Sequence, residues 1–455
     1  MLRTDISLPR VTCDLTEFTL ISQHMNRALS LALLFITFLM NIDAQTPAEL
    51  VELWDREHVT RILPSNVRHS DLKKYLDGLR KLDLRVDEVG RSFLNREIYQ
   101  VEWGKGPIKV FLWSQMHGDE PTATSALIDM FTVLQKNKDK EWVKKIGNTV
   151  TIRAVPMLNP DGAEMYQRRN MQGIDINRDA RSLQTPEARL LKKLRDDWSP
   201  NIGFNLHNQN ALTTAGRTNK QAAISFLVVF GDAAKTTTDG HERNKRLVSA
   251  MISAIQPYIP GHIGRYGDDW TPTAFGDNFS AWGTPVILIE TGALHGRDEM
   301  FLVKMNFVAI LTAMRSLADG SEATFSPANY LDLPANTSGS LYHFIFKNAS
   351  MIDRTTGPSS TADIAVNVER RRAEFIAPAY IRQIGSLNAY FGLSEFDASD
   401  YYVVARNAKT VRVGERAELM FFKKDRRIDW KSPDLEKQFP PDAIFSLGRW
   451  VKGSL

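Results

Sequence analysis

The chain has 455 residues, of which 43% are hydrophobic and 24% charged, and its formal net charge is +4. Such a composition describes an ordinary globular chain long enough for two domains. So small a charge, without a dense Lys/Arg run, argues against nucleic acid as a partner.

The first readable feature is an export signal. Met25-Asn26-Arg27 precedes an apolar run over 28–40, and a small residue, Ala44, stands at a plausible cleavage point. The run is shorter than the roughly 20 residues that a membrane-spanning helix needs. These residues predict a start at Met25, cleavage near Ala44, a periplasmic or extracellular location and no stable membrane insertion after cleavage. The one cysteine, Cys13, falls in the part removed, so the mature chain would have no disulfide.

From residue 46 onward strand and helix patterns alternate. An amphipathic helix over 71–82 is followed by strands over 85–89 and 96–103, then by an apolar strand over 108–113 and a helix over 121–134. A strand over 149–156 closes in the turn Asn159-Pro160-Asp161-Gly162. Thr185 can cap the next helix, with Pro186 at its first position and Glu187 complementing the dipole. Short apolar runs over 202–206 and 285–289 read as strands buried on both faces. The fold class is therefore α/β, a mixed, largely parallel twisted sheet with helices on both faces, over 46–325. Beyond residue 326 helical periodicity fades and short β-like runs appear at 341–347, 363–366, 401–404 and 419–422. They predict a smaller, mainly-β domain over 335–455.

Four of the strands lead into candidate polar groups. The strand over 108–113 leads to His117-Gly118-Asp119-Glu120, and that over 149–156 to the Asn-Pro-Asp-Gly turn and an Arg-rich loop. The strand over 202–206 leads to His207, and the strand over 285–289 to Glu290. Open α/β sheets build their sites at the carboxyl ends of parallel strands. Two histidines and one glutamate are a known ligand set for a catalytic zinc that keeps a position open for water, and His117, Glu120 and His207 supply it, for one zinc per chain. Amide hydrolysis further needs a base, for which Glu290 is suited, and a cation for the developing oxyanion, assigned to Arg168. A forked cation for a substrate carboxylate is available in Arg178, preceded by Asn177.

Taken together, His117-Gly-Asp-Glu120, Asn159-Pro-Asp-Gly162, Arg168-Arg-Asn170, Gly173-Ile-Asp-Ile-Asn177-Arg178, Leu206-His207 and Ile289-Glu290-Thr-Gly292 resemble the zinc carboxypeptidases of the carboxypeptidase A type. With the export signal, the chain looks like a bacterial exported member. The resemblance implies that His117, Glu120 and His207 bind zinc and that Glu290 is the general acid/base. It also implies that Arg168 polarises the scissile carbonyl, with Arg169 as the competing choice, and that Asn177 and Arg178 grip the terminal carboxylate of a peptide.

Three positions depart from the family pattern or align loosely with it. The tyrosine that covers the site in digestive members could be Tyr258 or Tyr266. Asp179 replaces the asparagine usual after the Asn-Arg pair, which would make that corner more acidic. Asp268, in Asp268-Asp269-Trp270, stands about where the family builds its specificity pocket. Asp119 is expected to orient a metal ligand or an arginine. The segments 346–353, 363–366 and 413–419 resemble the small β-sandwich that flanks the barrel of amidohydrolases, which implies a structural or binding module.

Three functions fit this reading. The first is a metallocarboxypeptidase, the second a peptidase or amidase acting on cell-wall peptides, and the third a non-catalytic peptide or glycan binder.

Overall fold

The computed structural model describes residues 46–369 and 377–455. The export segment, with Met25, Ala44 and Cys13, lies outside the described residues. In chain order the first part runs α1 (Pro47–Glu57), α2 (His69–Lys81), β1 (Arg85–Arg91), β2 (Glu97–Gly104), β3 (Ile108–Ser114), α3 (Thr122–Lys136), α4 (Glu141–Thr149), β4 (Val150–Val155), α5 (Pro160–Met165) and α6 (Pro186–Trp198). It continues with β5 (Ile202–Asn208), β6 (Thr214–Ala215), β7 (Ile224–Val229), α7 (Asp239–Ile255), β8 (Ile263–Arg265), α8 (Phe275–Ala281), β9 (Val286–Thr291) and α9 (Glu299–Asp319).

Eight strands form one sheet in the order β1-β2-β4-β3-β5-β9-β7-β8. The central four, β4, β3, β5 and β9, are mutually parallel. Antiparallel pairs flank them, β1–β2 and β2–β4 on one side and β7–β9 on the other. The sheet is thus mixed, with its parallel stretch where the sequence puts the candidate groups. Strand β3 shows why both faces are covered. Val110 and Leu112 turn to one core, shared with α1, α2, α3, α4, α7 and α9. Phe111 and Trp113 turn to the other, shared with α6 and α8. A strand buried on both faces has no polar alternation, as its continuous apolar run announced. Helix α9 is long and apolar enough to cross a membrane, yet 78% of its most apolar window is buried in the protein.

Two local expectations are extended. The segment Asn159-Pro160-Asp161-Gly162 does more than turn the chain, because it opens α5, with the Asn159 side chain accepting from Gly162 N at 2.8 Å. Glu187 stands in the first turn of α6, as expected, and does more than complement the dipole. It is fully buried and accepts from Phe93 N at 3.0 Å and from Asn170 Nδ2 at 3.4 Å, tying the β1–β2 turn to the loop before α6.

After α9 come α10 (Ala328–Leu331) and β10 (Asn336–Thr337), which pairs with β6. The remaining strands are β11 (Leu341–Asp353), β12 (Gly357–Val368), β13 (Ala379–Gly385), β14 (Phe391–Asp397), β15 (Tyr401–Ala405), β16 (Leu419–Lys423), β17 (Ala443–Ser446) and β18 (Arg449–Lys452). They build a second sheet, in the order β13-β12-β11-β15-β16-β17-β18 with β14 beside β11. One apolar cluster contains Phe346, Phe421 and Phe445, and another contains Ile352, Met420 and Phe422. Phe421 and Phe422 are successive strand residues, so the two clusters lie on opposite faces.

Candidate metal centre

The parallel strands bring the predicted residues together at their carboxyl edge. In the β3/β5/β9 register Ser114 stands opposite Leu206, and His207 opposite Glu290. His117 and Glu120 follow β3 in a tight loop. That loop closes on α5: a Cβ added to Gly118 would lie 2.0 Å from the carbonyl carbon of Gly162. Only a hydrogen side chain allows this approach.

His117, Glu120 and His207 are all buried, and each offers a ligand atom within 4.8 Å of the others. Glu120 is the hub. Its Oε1 lies 2.8 Å from His117 Nδ1, and its Oε2 lies 2.5 Å from His207 Nδ1. The other nitrogen of His117, Nε2, lies 3.0 Å from Asp175 Oδ1. A proton on Nε2 donates to that carboxylate, which leaves the Nδ1 lone pair directed at the group.

The charges follow this arrangement. Burial alone would raise Glu120, but His207 and His117 hold it well below the usual carboxylate range. Burial pulls His117 down, yet Glu120 and Asp175 outweigh it and hold the imidazole above its ordinary value. His207 has one carboxylate partner against two for His117, so burial wins there and lowers it. A compact set of two imidazole nitrogens and one carboxylate is the chemistry of a zinc site.

Asp175 was not singled out by the sequence reading. Its Oδ2 accepts from Arg168 Nε at 3.0 Å, so one carboxylate orients both a candidate ligand and the candidate oxyanion cation. The role expected for Asp119 therefore falls to Asp175, whereas Asp119 Oδ1 is buried with no hydrogen-bond partner. A sequence signal for Asp175 existed, because it stands two residues before Asn177 and accepts that residue's N–H at 2.9 Å, fixing the turn of Ile176–Arg178.

Arg168 and Arg169 separate clearly. Arg168 Nη1 lies 3.1 Å from both Glu120 Oε1 and His117 Nδ1. Arg169 turns away, donating to Gly173 O at 2.9 Å. Asn177 lies beside His207, with its Oδ1 accepting from Phe275 N at 2.9 Å. Arg178 is exposed and donates to Asn177 O. Together with Arg169, Asp175 and Asp179 it lines a shallow depression.

The Asp179 carboxylate accepts from Gln184 N, Thr185 N and Thr185 Oγ1, which ties this corner to the start of α6.

Glu290 is almost completely buried. Burial first, and then the charge of Glu120, pushes it well above the usual carboxylate range. Tyr266 is the tyrosine near this group. Its phenol is pushed up to about 12, first by Glu290, then by burial and Glu120, and it also feels Arg168 and Arg178. Tyr258 packs on the helical core instead. Asp268 is drawn into a surface ion pair with Lys235 at 2.7 Å. Besides Asp175, Arg178 also acts on Asp277, at the start of α8, whose carboxyl burial pushes up to about 6. The sequence reading passed over it.

Fold and site thus define a single-metal centre of the zinc type at the carboxyl edge of a mixed α/β sheet. Residues 72–255 match the zinc carboxypeptidase family, and zinc is the metal that His117, Glu120 and His207 are suited to hold. A probable carboxypeptidase 2 from Arthroderma benhamiae is 32% identical over 111 residues, covering 24% of this chain and 20% of that protein. Carboxypeptidase 2 from Trichophyton rubrum is 31% identical over 110 residues, covering 24% and 19%. The chain spans about a fifth of the length of these curated relatives. A metallo-carboxypeptidase structure from Burkholderia cenocepacia is similar over 55% of this chain and 69% of its own, with 17% identity and a TM-score of 0.45. The family match ends before Glu290, which stands in register with His207.

Proposed function

We propose that the protein is an exported zinc-dependent carboxypeptidase that hydrolyses the C-terminal peptide bond of peptides. The observation that carries this reading is the meeting of Glu290, Arg168 and Tyr266 around the His117–Glu120–His207 group, with Arg178 within electrostatic reach.

Zinc held by that group supplies Lewis acidity toward a carbonyl oxygen and acidifies water. Glu290 takes a proton from the attacking water and delivers it to the leaving amine nitrogen. A carboxyl held above its ordinary range by burial is suited to that exchange. Arg168, fixed by Asp175, presents Nη1 to the carbonyl oxygen as negative charge develops there. Arg178, with Asn177 behind it, holds the terminal carboxylate through a planar fork. Tyr266 keeps its proton at neutral pH and serves as a neutral donor over the site.

Paired peptides with free and amidated C-termini test this reading. The wild type should prefer the free carboxylate, and Arg178→Ala should lose most of that preference, about 2–4 kcal/mol or on the order of 100-fold for a lost charge-assisted pair. A wild type that cleaves both forms equally refutes the exopeptidase reading. Turnover confined to cell-wall peptides in the same panel would move the substrate to the amidase alternative.

A further inference from the structure

The chain beyond the catalytic sheet returns to the site. After α10, residues 334–337 run between the end of β8 and the short strand β6. Arg265 N donates to Pro334 O at 2.8 Å, and Gly216 N donates to Ala335 O at 2.9 Å. Asn336 and Thr337 pair with Ala215 and Thr214. This linker leads into the second sheet, and it lies outside both the family match and the catalytic region expected from the sequence.

Its side chain at Asn336 closes a ring of hydrogen bonds. Asn336 Nδ2 donates to Gln209 Oε1 at 2.7 Å, Gln209 Nε2 to Ser225 Oγ at 2.9 Å, and Ser225 Oγ to Asn336 Oδ1 at 2.9 Å. Every group in the ring both donates and accepts, so no member can be lost without leaving another unpaired. Ser225 is fully buried, where an unpaired hydroxyl is costly. The space is cut to fit, since a Cβ added to Gly264 would lie 2.2 Å from Asn336 Oδ1.

The ring brackets Glu290 from two sides. Ser225 is the cross-strand partner of Glu290 in the β7–β9 pair, so their side chains share one face of the sheet, about 5 Å apart at Cβ. Gln209 follows the candidate ligand His207 by two residues and donates its N–H to Thr291 O, the carbonyl next to Glu290, at 2.9 Å. Its Nε2 also donates to Ala222 O, so one amide just past β5 reaches both β7 and the segment that enters it. The same linker holds β8 just before Tyr266, whose N–H bonds to Phe226 O at 2.9 Å.

We propose that Asn336 is a positioning residue: the linker into the C-terminal sheet completes the site wall and fixes Glu290 and Tyr266. The proposal rests on the carboxypeptidase reading for its kinetic consequence but not for its structural one. The groups assigned to the terminal carboxylate, Asn177 and Arg178, belong to the loop before α6, and no bond of the ring reaches them. Loosening the ring should therefore act on proton transfer more than on substrate binding. A displacement near 1 Å is enough to lower turnover by roughly 100-fold.

Asn336→Ala and Asn336→Asp, made in the full zinc-loaded chain, test this. The second keeps the shape but sets a carboxylate oxygen where the donor to Gln209 stood. Both should lower kcat about 10- to 100-fold, leave KM within about threefold and leave zinc content unchanged. Amide hydrogen exchange should accelerate at least about tenfold over residues 208–213 and 264–267 and stay constant in α3. The proposal is overturned if both variants turn over within twofold of wild type, if KM rises in step with any fall in kcat, or if exchange at those segments is unchanged. A wild type without carboxypeptidase activity would defeat the functional reading alone. Exchange then decides the proposal, with faster exchange at the two segments upholding the wall and unchanged exchange rejecting it.

Discussion

Replacing Asp175 by alanine should weaken zinc binding by about 10- to 100-fold. The carboxylate makes three bonds: from His117 Nε2 at 3.0 Å, Arg168 Nε at 3.0 Å and Asn177 N at 2.9 Å. They do not count equally. The Arg168 side chain is 44% exposed and can regain water, whereas that of His117 is 2% exposed and cannot. One buried, charge-assisted bond is therefore the main loss, about 1.5–3 kcal/mol, which matches the 10- to 100-fold typical of partners behind a ligand histidine. Asp175→Asn should fall between, because one oxygen can still serve His117 while the amide then faces Arg168 donor to donor. Competition with a chromophoric chelator at neutral pH gives the dissociation constants directly. Asp119→Ala is the contrasting variant and should move zinc affinity by less than about threefold, since its buried Oδ1 makes no hydrogen bond to a ligand. The reasoning fails if Asp175→Ala binds zinc like wild type, or if Asp119→Ala weakens binding as much.

Glu290→Gln should keep one zinc per chain and lose about 100- to 10,000-fold in kcat, the range for removal of a positioned acid/base group; near-normal turnover would remove Glu290 from the mechanism. Asp277 gives a pH signature. Its carboxyl moves from the ordinary 3.8 to about 6 on folding, so between those values the native state holds a proton that the unfolded chain has released. The associated stability is full below the unfolded value and is lost as pH rises through about 6. Asp277→Asn keeps an acceptor for Thr271 N and should raise stability at pH 8 by about 1–2 kcal/mol after allowance for screening. At pH 4 denaturant midpoints of variant and wild type should nearly coincide, and an equal gap at both pH values would contradict the assignment.

The sequence made the metal group legible because its members lie at or just beyond the ends of apolar strands, where a period-2 or continuous pattern breaks visibly. His207 and Glu290 were found that way, and the structure aligns them in register. Asp175 was harder, since its partners His117 and Arg168 are set by loops whose path no local pattern encodes. The pairs Arg168/Arg169 and Tyr258/Tyr266 could not be resolved for a related reason. Which neighbour turns inward depends on the chain's direction through an irregular loop, and here Gly173 O captures Arg169 while Tyr258 is absorbed by the helical core. Asp268 looked like a pocket acid by position, but Lys235, distant in sequence, pairs with it. Strand β7, which enters antiparallel next to β9, was passed over, although 226–229 is apolar throughout. Asn336 carries no local signal at all, because its meaning arises only where the linker passes Gln209 and Ser225.

The contact between Gly118 and Gly162 makes two motifs interdependent. Neither glycine can gain a methyl group in place, since at each a Cβ would fall within 2.4 Å of a neighbouring atom. A loop carrying His117 and Glu120 therefore holds its shape only against the turn that opens α5. Transplanting the zinc pair into another scaffold would require both segments together, and variants at the two glycines should be strongly non-additive.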